Sequence, residues 1–183
     1  MGANCAHFSF YGDSMTKKTR KLTHAALIAA LYVALTYLQN FLLPGTTSMA
    51  IQVRIAEAMC VLAFFTPSAI WGLTIGCLLF NISYSYTLPL DFLVGTLASF
   101  LAVGGMYLTR KVTVFGFPLL GMLLPAIFNG LLIGWELSFY IGGAFWLNAL
   151  YVAIGELISL LVAGTALYYT IRNRHLDAWL KNF

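Results

Sequence analysis

Five ionisable side chains interrupt long apolar stretches of this sequence: Arg54, Glu57, Asp91, Glu136 and Glu156. Amide side chains accompany them at Gln52, Asn81, Asn129 and Asn148. Carboxylates accept hydrogen bonds from N–H groups, and amides both donate and accept them. Together with aromatic rings, such a set suits a flat, nitrogen-rich ligand that carries hydrogen-bond donors or a positive charge.

The motifs favour binding over catalysis. The sequence contains no HExxH, GxSxG or Walker A pattern, and its three histidines lie near the ends of the chain or of predicted helices. Cys60 and Cys77 fall inside apolar runs, which is typical of small buried residues rather than of metal ligands. The acids are spread over several helices, which does not favour a membrane-embedded enzyme, so we expect no enzyme activity, no metal and no cofactor.

The composition indicates a lipid environment. Hydrophobic residues make up 61% of the 183 residues and charged residues only 9%, whereas a soluble domain is roughly a quarter charged. This excludes a soluble enzyme, a disordered chain and a nucleic-acid-binding module. Ionisable groups at membrane depth are costly, and by default they indicate a functional site.

Hydropathy and turn residues predict an all-α membrane protein with six transmembrane helices. We expect an N-terminal extension over 1–16, a transmembrane domain over 17–172 and a cytoplasmic tail over 173–183. Thr66 and Pro67 suit the start of the third helix. The predicted helices cover about 22–43, 49–65, 67–86, 89–108, 114–135 and 146–171, with a loop over 138–145.

The basic residues predict the orientation. With six spans, nine of the ten Lys and Arg residues lie on the side that holds both termini, and Arg54 is the exception. The positive-inside rule places that side in the cytoplasm of a multi-pass cell-membrane protein. The acids and amides other than Glu156 then fall in the outer half, which predicts an outward-facing solute pocket.

Two of the helix starts leave alternatives open. Arg54 and Glu57 are three residues apart and share a helix face, so they either neutralise each other or contact a ligand. Asp91 lies in the first turn of a helix, where a carboxylate interacts favourably with the helix dipole and needs no ligand. We predict Asp91 and Asn81 as ligand contacts.

The later helices carry further candidates. Asn129 either contacts a ligand or bonds a neighbouring helix, and Glu136 is either solvated or bound to a ligand. Glu156 must pair, protonate or bind a ligand, because no solvent reaches the middle of a span. Trp146 belongs to an aromatic group at the outer end that either stacks on a ligand or forms an interfacial belt.

Small residues recur every four positions in the first helix, at Ala26, Ala30 and Ala34. Such a stripe lets two membrane helices approach closely. Its partner is either another helix of this chain or a separate membrane protein.

Several strings carry a family resemblance. They are IQVRIAEAMCVLAFFTPSAIWGLTIGC (51–77), LDFLVGTLAS (90–99), PAIFNGLLIGWEL (125–137) and FWLNALYVAIGELISLLVAG (145–164). The sequence resembles the queuosine-precursor transporter family QueT over about residues 17–172. That family supplies substrate-binding S components of energy-coupling factor (ECF) transporters.

The resemblance implies a division of labour. The S component captures a 7-deazaguanine, preQ1 or queuine, outside the cell, while a transmembrane T subunit and two cytoplasmic ATPases drive uptake. The stripe of Ala26, Ala30 and Ala34 would meet the T subunit, and the connections 44–51 and 82–89 would close over the solute. The alternatives are a stand-alone secondary carrier for a nucleobase-like solute and an S component for another vitamin.

Overall fold

The computed structural model describes residues 17–46, 53–83 and 90–181, and this part of the chain is helical. Apart from an isolated bridge between Val114 and Phe117, no β-pairing occurs in it. The elements in order are α1 (Lys17–Leu42), a 3₁₀ helix (Ile55–Phe64), α2 (Ser68–Ser83), α3 (Asp91–Thr109), α4 (Leu119–Tyr140), α5 (Phe145–Ile158), a π-helical segment (Ser159–Gly164), α6 (Thr165–Asn173) and α7 (Leu176–Lys181).

Four stretches are long and apolar enough to cross a membrane: Lys18–Leu42, Asp91–Thr109, Leu119–Tyr140 and Phe145–Asn173. The 3₁₀ helix and α2 are also apolar but shorter. At about 2 Å per residue, the ten residues of the 3₁₀ helix extend roughly 20 Å, less than the hydrocarbon core of about 30 Å. The six predicted apolar helices therefore occur in the predicted order, while six complete spans stay a prediction.

The 3₁₀ helix is apolar because it forms the centre of the protein. Ala56, Val61 and Ala63 are completely buried in the main hydrophobic core. Helices α1, α2, α3, α6 and the π-helical segment all pack around this element. Eight of its ten side chains are buried and therefore face protein rather than lipid.

The predicted bounds of the fifth helix were wrong at both ends. The expected start at Val114 is a tight turn, in which Phe115 and Gly116 adopt positive φ angles of 52° and 78°. Helix α4 begins only after Pro118, so this proline is not inside the helix. The helix continues to Tyr140, which shortens the predicted loop over 138–145.

The third predicted helix starts close to where the sequence indicates. The Ser68 amide donates to Thr66 Oγ1 at 3.4 Å, as expected for a threonine cap. Helix α2 begins at Ser68, one residue after the predicted first position at Pro67.

The basic ends of several helices lie together, as the charge pattern predicts. Lys18 and Lys21 line one groove with Ser68. Phe65 belongs to the same turn, between the 3₁₀ helix and α2, and it lines a second groove with Arg110 and Arg172. We call this part of the molecule the basic end.

Glycines let neighbouring helices approach closely. A Cβ atom at Gly72 of α2 would lie 2.7 Å from the Ala25 carbonyl oxygen of α1. A Cβ atom at Gly134 of α4 would lie 2.7 Å from the Ala149 amide nitrogen of α5. Backbone atoms cannot rotate away, so these two helix pairs depend on the missing side chain.

Replacing Gly134 with Ala is expected to destabilise the protein, because α4 and α5 must separate to admit the methyl group. Overpacking of this kind costs about 1–3 kcal/mol. Gly104→Ala in α3 is the matched control, since a Cβ atom there meets nothing within 4 Å. Thermal unfolding in detergent should show a lower midpoint for Gly134→Ala only, and equal midpoints would contradict the close approach.

Candidate ligand-binding site

Seven of the predicted site residues form a group of buried polar side chains, which we call the polar cluster. Each is at most 9% exposed. They come from the start of the 3₁₀ helix, α2, α3, α4 and α5, and comprise Arg54, Glu57, Asn81, Asp91, Asn129, Glu136 and Glu156. The structure brings together residues far apart in the sequence, since Glu156 interacts electrostatically with Glu57 and Arg54.

Arg54 links three elements of the cluster. Its guanidinium lies 3.9 Å from the carboxylate of Asp91 in α3. Its backbone amide donates to Ser159 Oγ at 3.2 Å, at the start of the π-helical segment. The alternative that Arg54 is neutralised by Glu57 was wrong, because the ion pair among the described residues is the one with Asp91.

Glu57 is held by groups of this chain. The Tyr32 hydroxyl of α1 donates to Oε1 at 2.6 Å. The Cys60 thiol donates to Oε2 at 3.1 Å. Both carboxylate oxygens therefore have partners, and Glu57 fastens the 3₁₀ helix to α1.

Asn81 holds the start of α3. Its Nδ2 donates to the Asp91 carbonyl oxygen at 3.0 Å. Gly95 lies one turn further along α3, and its lack of a side chain leaves room for this contact, since a Cβ atom there would be 2.7 Å from Asn81 Nδ2. Asp91 is thereby positioned by a neighbouring helix as well as by the helix start.

Asn129 bonds the neighbouring helix, one of the two alternatives that the sequence left open. Its Nδ2 donates to Glu156 Oε1 at 2.9 Å, which joins α4 to α5 inside the protein. Asn129 therefore lies at the depth of Glu156 and not nearer the outer end, as its sequence position suggested.

Glu136 differs from the other acids. Its side chain is completely buried, and neither carboxylate oxygen has a hydrogen-bond partner among the described residues. It lies close enough to Asp91 and Arg54 for an electrostatic interaction. The predicted alternative of a solvated carboxylate at the helix end was therefore wrong.

Five buried acceptor atoms of the cluster lack a partner in the described part of the chain. They are both carboxylate oxygens of Glu136, one each of Asp91 and Glu156, and the Asn81 amide oxygen. An unsatisfied buried polar group costs about 1–3 kcal/mol, and a charged one more. These five are acceptors, so a molecule that supplies hydrogen-bond donors would satisfy them.

Trp146 is not part of the cluster. Its side chain is 74% exposed and lines a shallow groove of about 370 Å³ with Gly130 and Ala149 on the outer side of α4 and α5. This position matches the alternative of a membrane-interface aromatic. Asn148 instead holds the turn after α4, since its Nδ2 donates to the Gly142 carbonyl oxygen at 3.1 Å as well as to Ser138 Oγ at 3.0 Å.

Sequence reasoning missed Tyr32 and the role of Cys60. Tyr32 is 1% exposed in the middle of α1. Its position in the middle of the first predicted span indicated a role other than that of an interfacial belt, because belt tyrosines lie near the ends of a span. Cys60 follows Glu57 by three residues, a spacing that allows the thiol to reach the carboxylate.

The alanine stripe faces away from the rest of the chain. Ala26, Ala30 and Ala34 are exposed, whereas Ala25 and Ala29 are 7% and 5% exposed and pack inside. The alternative of a partner helix within this chain was therefore wrong for the described residues.

Parts of the predicted site lie outside the described residues. These are Gln52 and most of the two expected lid segments 44–51 and 82–89, as well as the N-terminal extension 1–16. The grooves of about 500, 370 and 260 Å³ are lined by residues outside the polar cluster. The outward-facing pocket stays a prediction.

An apolar helical fold that encloses a cluster of buried polar side chains defines a membrane protein. The chain belongs to the QueT transporter family, whose model matches residues 22–173. This family consists of transporters and not of enzymes. The predicted family membership is thereby confirmed.

A curated relative agrees with this assignment. The chain is 34% identical over 99 residues to the queuosine precursor transporter QueT of Lactococcus lactis subsp. cremoris. The match covers 51% of this chain and 54% of that protein, so it spans about half the length of each. No solved structure matches the chain.

Proposed function

We propose that this chain is the substrate-binding S component of an ECF-type importer and that it captures a cationic 7-deazaguanine, preQ1 or queuine. The observation that carries the proposal is the buried Glu136 carboxylate, whose two oxygens have no partner among the described residues. The name of the Lactococcus relative, a queuosine precursor transporter, supports the same substrate class.

The charge of the polar cluster favours a cation. It contains four acids and one arginine, so full ionisation would leave a large excess of negative charge in a buried place. Buried charges need partners or they neutralise. The amine on the side arm of preQ1 or queuine would supply a positive charge beside Glu136 and Asp91.

The hydrogen-bonding atoms also match. A deazaguanine presents ring N–H and amino donors along one edge, which can meet the five buried acceptor atoms of the cluster that lack a hydrogen bond among the described residues. Glu57 and Asn129, whose polar groups already bond to this chain, would shape the site rather than bind the solute. Trp146 would not stack on the solute from its exposed position.

Transport would depend on partners. The exposed stripe of Ala26, Ala30 and Ala34 would contact a transmembrane T subunit, and two cytoplasmic ATPases would drive uptake. The grouping of basic residues supports a basic end in the cytoplasm with both termini. A stand-alone secondary carrier would instead transport its solute without ATPase partners.

The substrate class is tested by titrating the purified protein with four related ligands. We expect preQ1 and queuine to bind at least about tenfold more tightly than guanine or preQ0, because a charge-assisted hydrogen bond contributes roughly twice as much as a neutral one. In preQ0 a neutral nitrile replaces the aminomethyl group, so it is the matched control for charge.

Two outcomes would contradict the proposed substrate. Equal affinity for preQ0 and preQ1 would show that the positive charge of the ligand does not contribute to binding. Preference for flavin, thiamine or biotin would make the chain an S component for another vitamin.

A further inference from the structure

A groove of about 500 Å³ lies between α1 and the start of α2 at the basic end. Helices α1 and α2 run in the same direction from this end. Beside the groove they pack closely, since a Cβ atom at Gly72 would be 2.7 Å from the Ala25 carbonyl oxygen and 2.8 Å from the Ile28 side chain.

The mouth of the groove is positively charged. Lys18 and Lys21 are one helical turn apart on α1, and both line it. Neither lysine forms an ion pair with a described residue, and no acidic residue lines the groove. The charge is therefore not neutralised within this part of the protein.

A buried hydroxyl stands on the opposite wall. Ser68 is 4% exposed and lines the groove, and its Oγ has no hydrogen-bond partner among the described residues. Ser68 is also the first residue of α2, a helix of 16 residues, where the positive end of the helix dipole favours an anion.

The rest of the groove is apolar and exposed. Leu22 is 71% exposed, Trp71 60% and Ile75 43%, and all three line it. Leu22 and Ile75 lie further from the basic end than the lysines and Ser68. A tryptophan at this level is typical of the membrane interface.

We propose that this groove binds one anionic phospholipid. Lys18, Lys21 and the Ser68 hydroxyl hold the phosphate, and the acyl chains lie against Leu22, Trp71 and Ile75. Along the groove, charged surface is followed by apolar surface, which is the order of headgroup and acyl chains in a phospholipid. Two lysines with no acidic neighbour among the described residues favour a headgroup with net negative charge over a zwitterionic one.

The test is native mass spectrometry of the purified full chain with phosphatidylglycerol or phosphatidylcholine of identical acyl chains. We expect preferential retention of phosphatidylglycerol. Each lysine near an anionic headgroup contributes about fivefold, so a Lys18→Gln/Lys21→Gln variant should bind it roughly 25-fold more weakly. Lys111→Gln/Arg174→Gln is the matched control, because it removes two charges that do not line the groove.

Several outcomes would overturn the proposal. Equal retention of the two lipids would do so, as would equal losses of phosphatidylglycerol binding in both double variants. Equal protection against thermal unfolding by inorganic phosphate and by phosphatidylglycerol would indicate a simple anion site. If the lysine variant does not fold, Ser68→Ala decides, since loss of the hydroxyl that holds the phosphate should weaken phosphatidylglycerol retention severalfold. Unchanged retention in Ser68→Ala would then contradict the site.

Discussion

Replacing Glu136 with Gln is expected to weaken preQ1 binding by about ten- to hundredfold, which corresponds to the 1–3 kcal/mol of a lost charge-assisted bond. The substitution keeps the shape of the side chain. It removes the charge and converts one acceptor into a donor, which then faces the ligand's own donors. Glu136 is completely buried and its oxygens have no partner among the described residues, so few contacts within the protein are lost.

Isothermal titration of the parent and the variant with preQ1 and preQ0 measures this effect. The affinity for neutral preQ0 should fall much less than the affinity for preQ1. Parent-like binding of preQ1 by Glu136→Gln would remove this carboxylate from the site.

Glu57→Gln is the comparison that separates binding from stability. Glu57 already accepts hydrogen bonds from Tyr32 and Cys60, so the amide would place a donor against at least one donor of this chain. We expect a lower thermal midpoint for Glu57→Gln and a smaller loss of affinity than for Glu136→Gln. A larger loss of affinity in Glu57→Gln than in Glu136→Gln would instead make Glu57 the ligand contact and Glu136 the structural residue.

Replacing Ala30 with Trp is expected to reduce uptake in cells to background while preQ1 binding to the purified protein stays nearly unchanged. Ala30 is exposed on α1, so the larger side chain replaces exposed surface rather than a buried contact of this chain. It would separate α1 from a T subunit that needs close approach. Radiolabelled uptake and titration of the same variant measure the two effects.

Leu31→Trp is the matched control, because Leu31 is a neighbouring residue that is 48% exposed and already bulky. It should leave both uptake and binding near the parent values. Loss of binding in Ala30→Trp would show that the stripe packs within this chain. Normal uptake would show that the T subunit docks elsewhere.

The sequence by itself determined the environment of the protein and the inventory of its site. Apolar composition and hydropathy indicate a membrane protein, because transfer to lipid depends on residue type and segment length. Ionisable residues are conspicuous in such a sequence because burying them is costly. For this reason all four buried acids and Arg54 could be predicted before any contact was known.

Only the tertiary structure decided which of these groups are already satisfied. Tyr32 and Glu57 are 25 residues apart, and Asn129 and Glu156 are 27 apart, so their bonds depend on how helices rotate against each other. Hydropathy does not specify that rotation, and it therefore could not distinguish Glu57 from Glu136. The same geometry turned Trp146 outward and exposed Ala30 while burying Ala29, because close packing at Gly72 and Gly134 sets how the helices face one another.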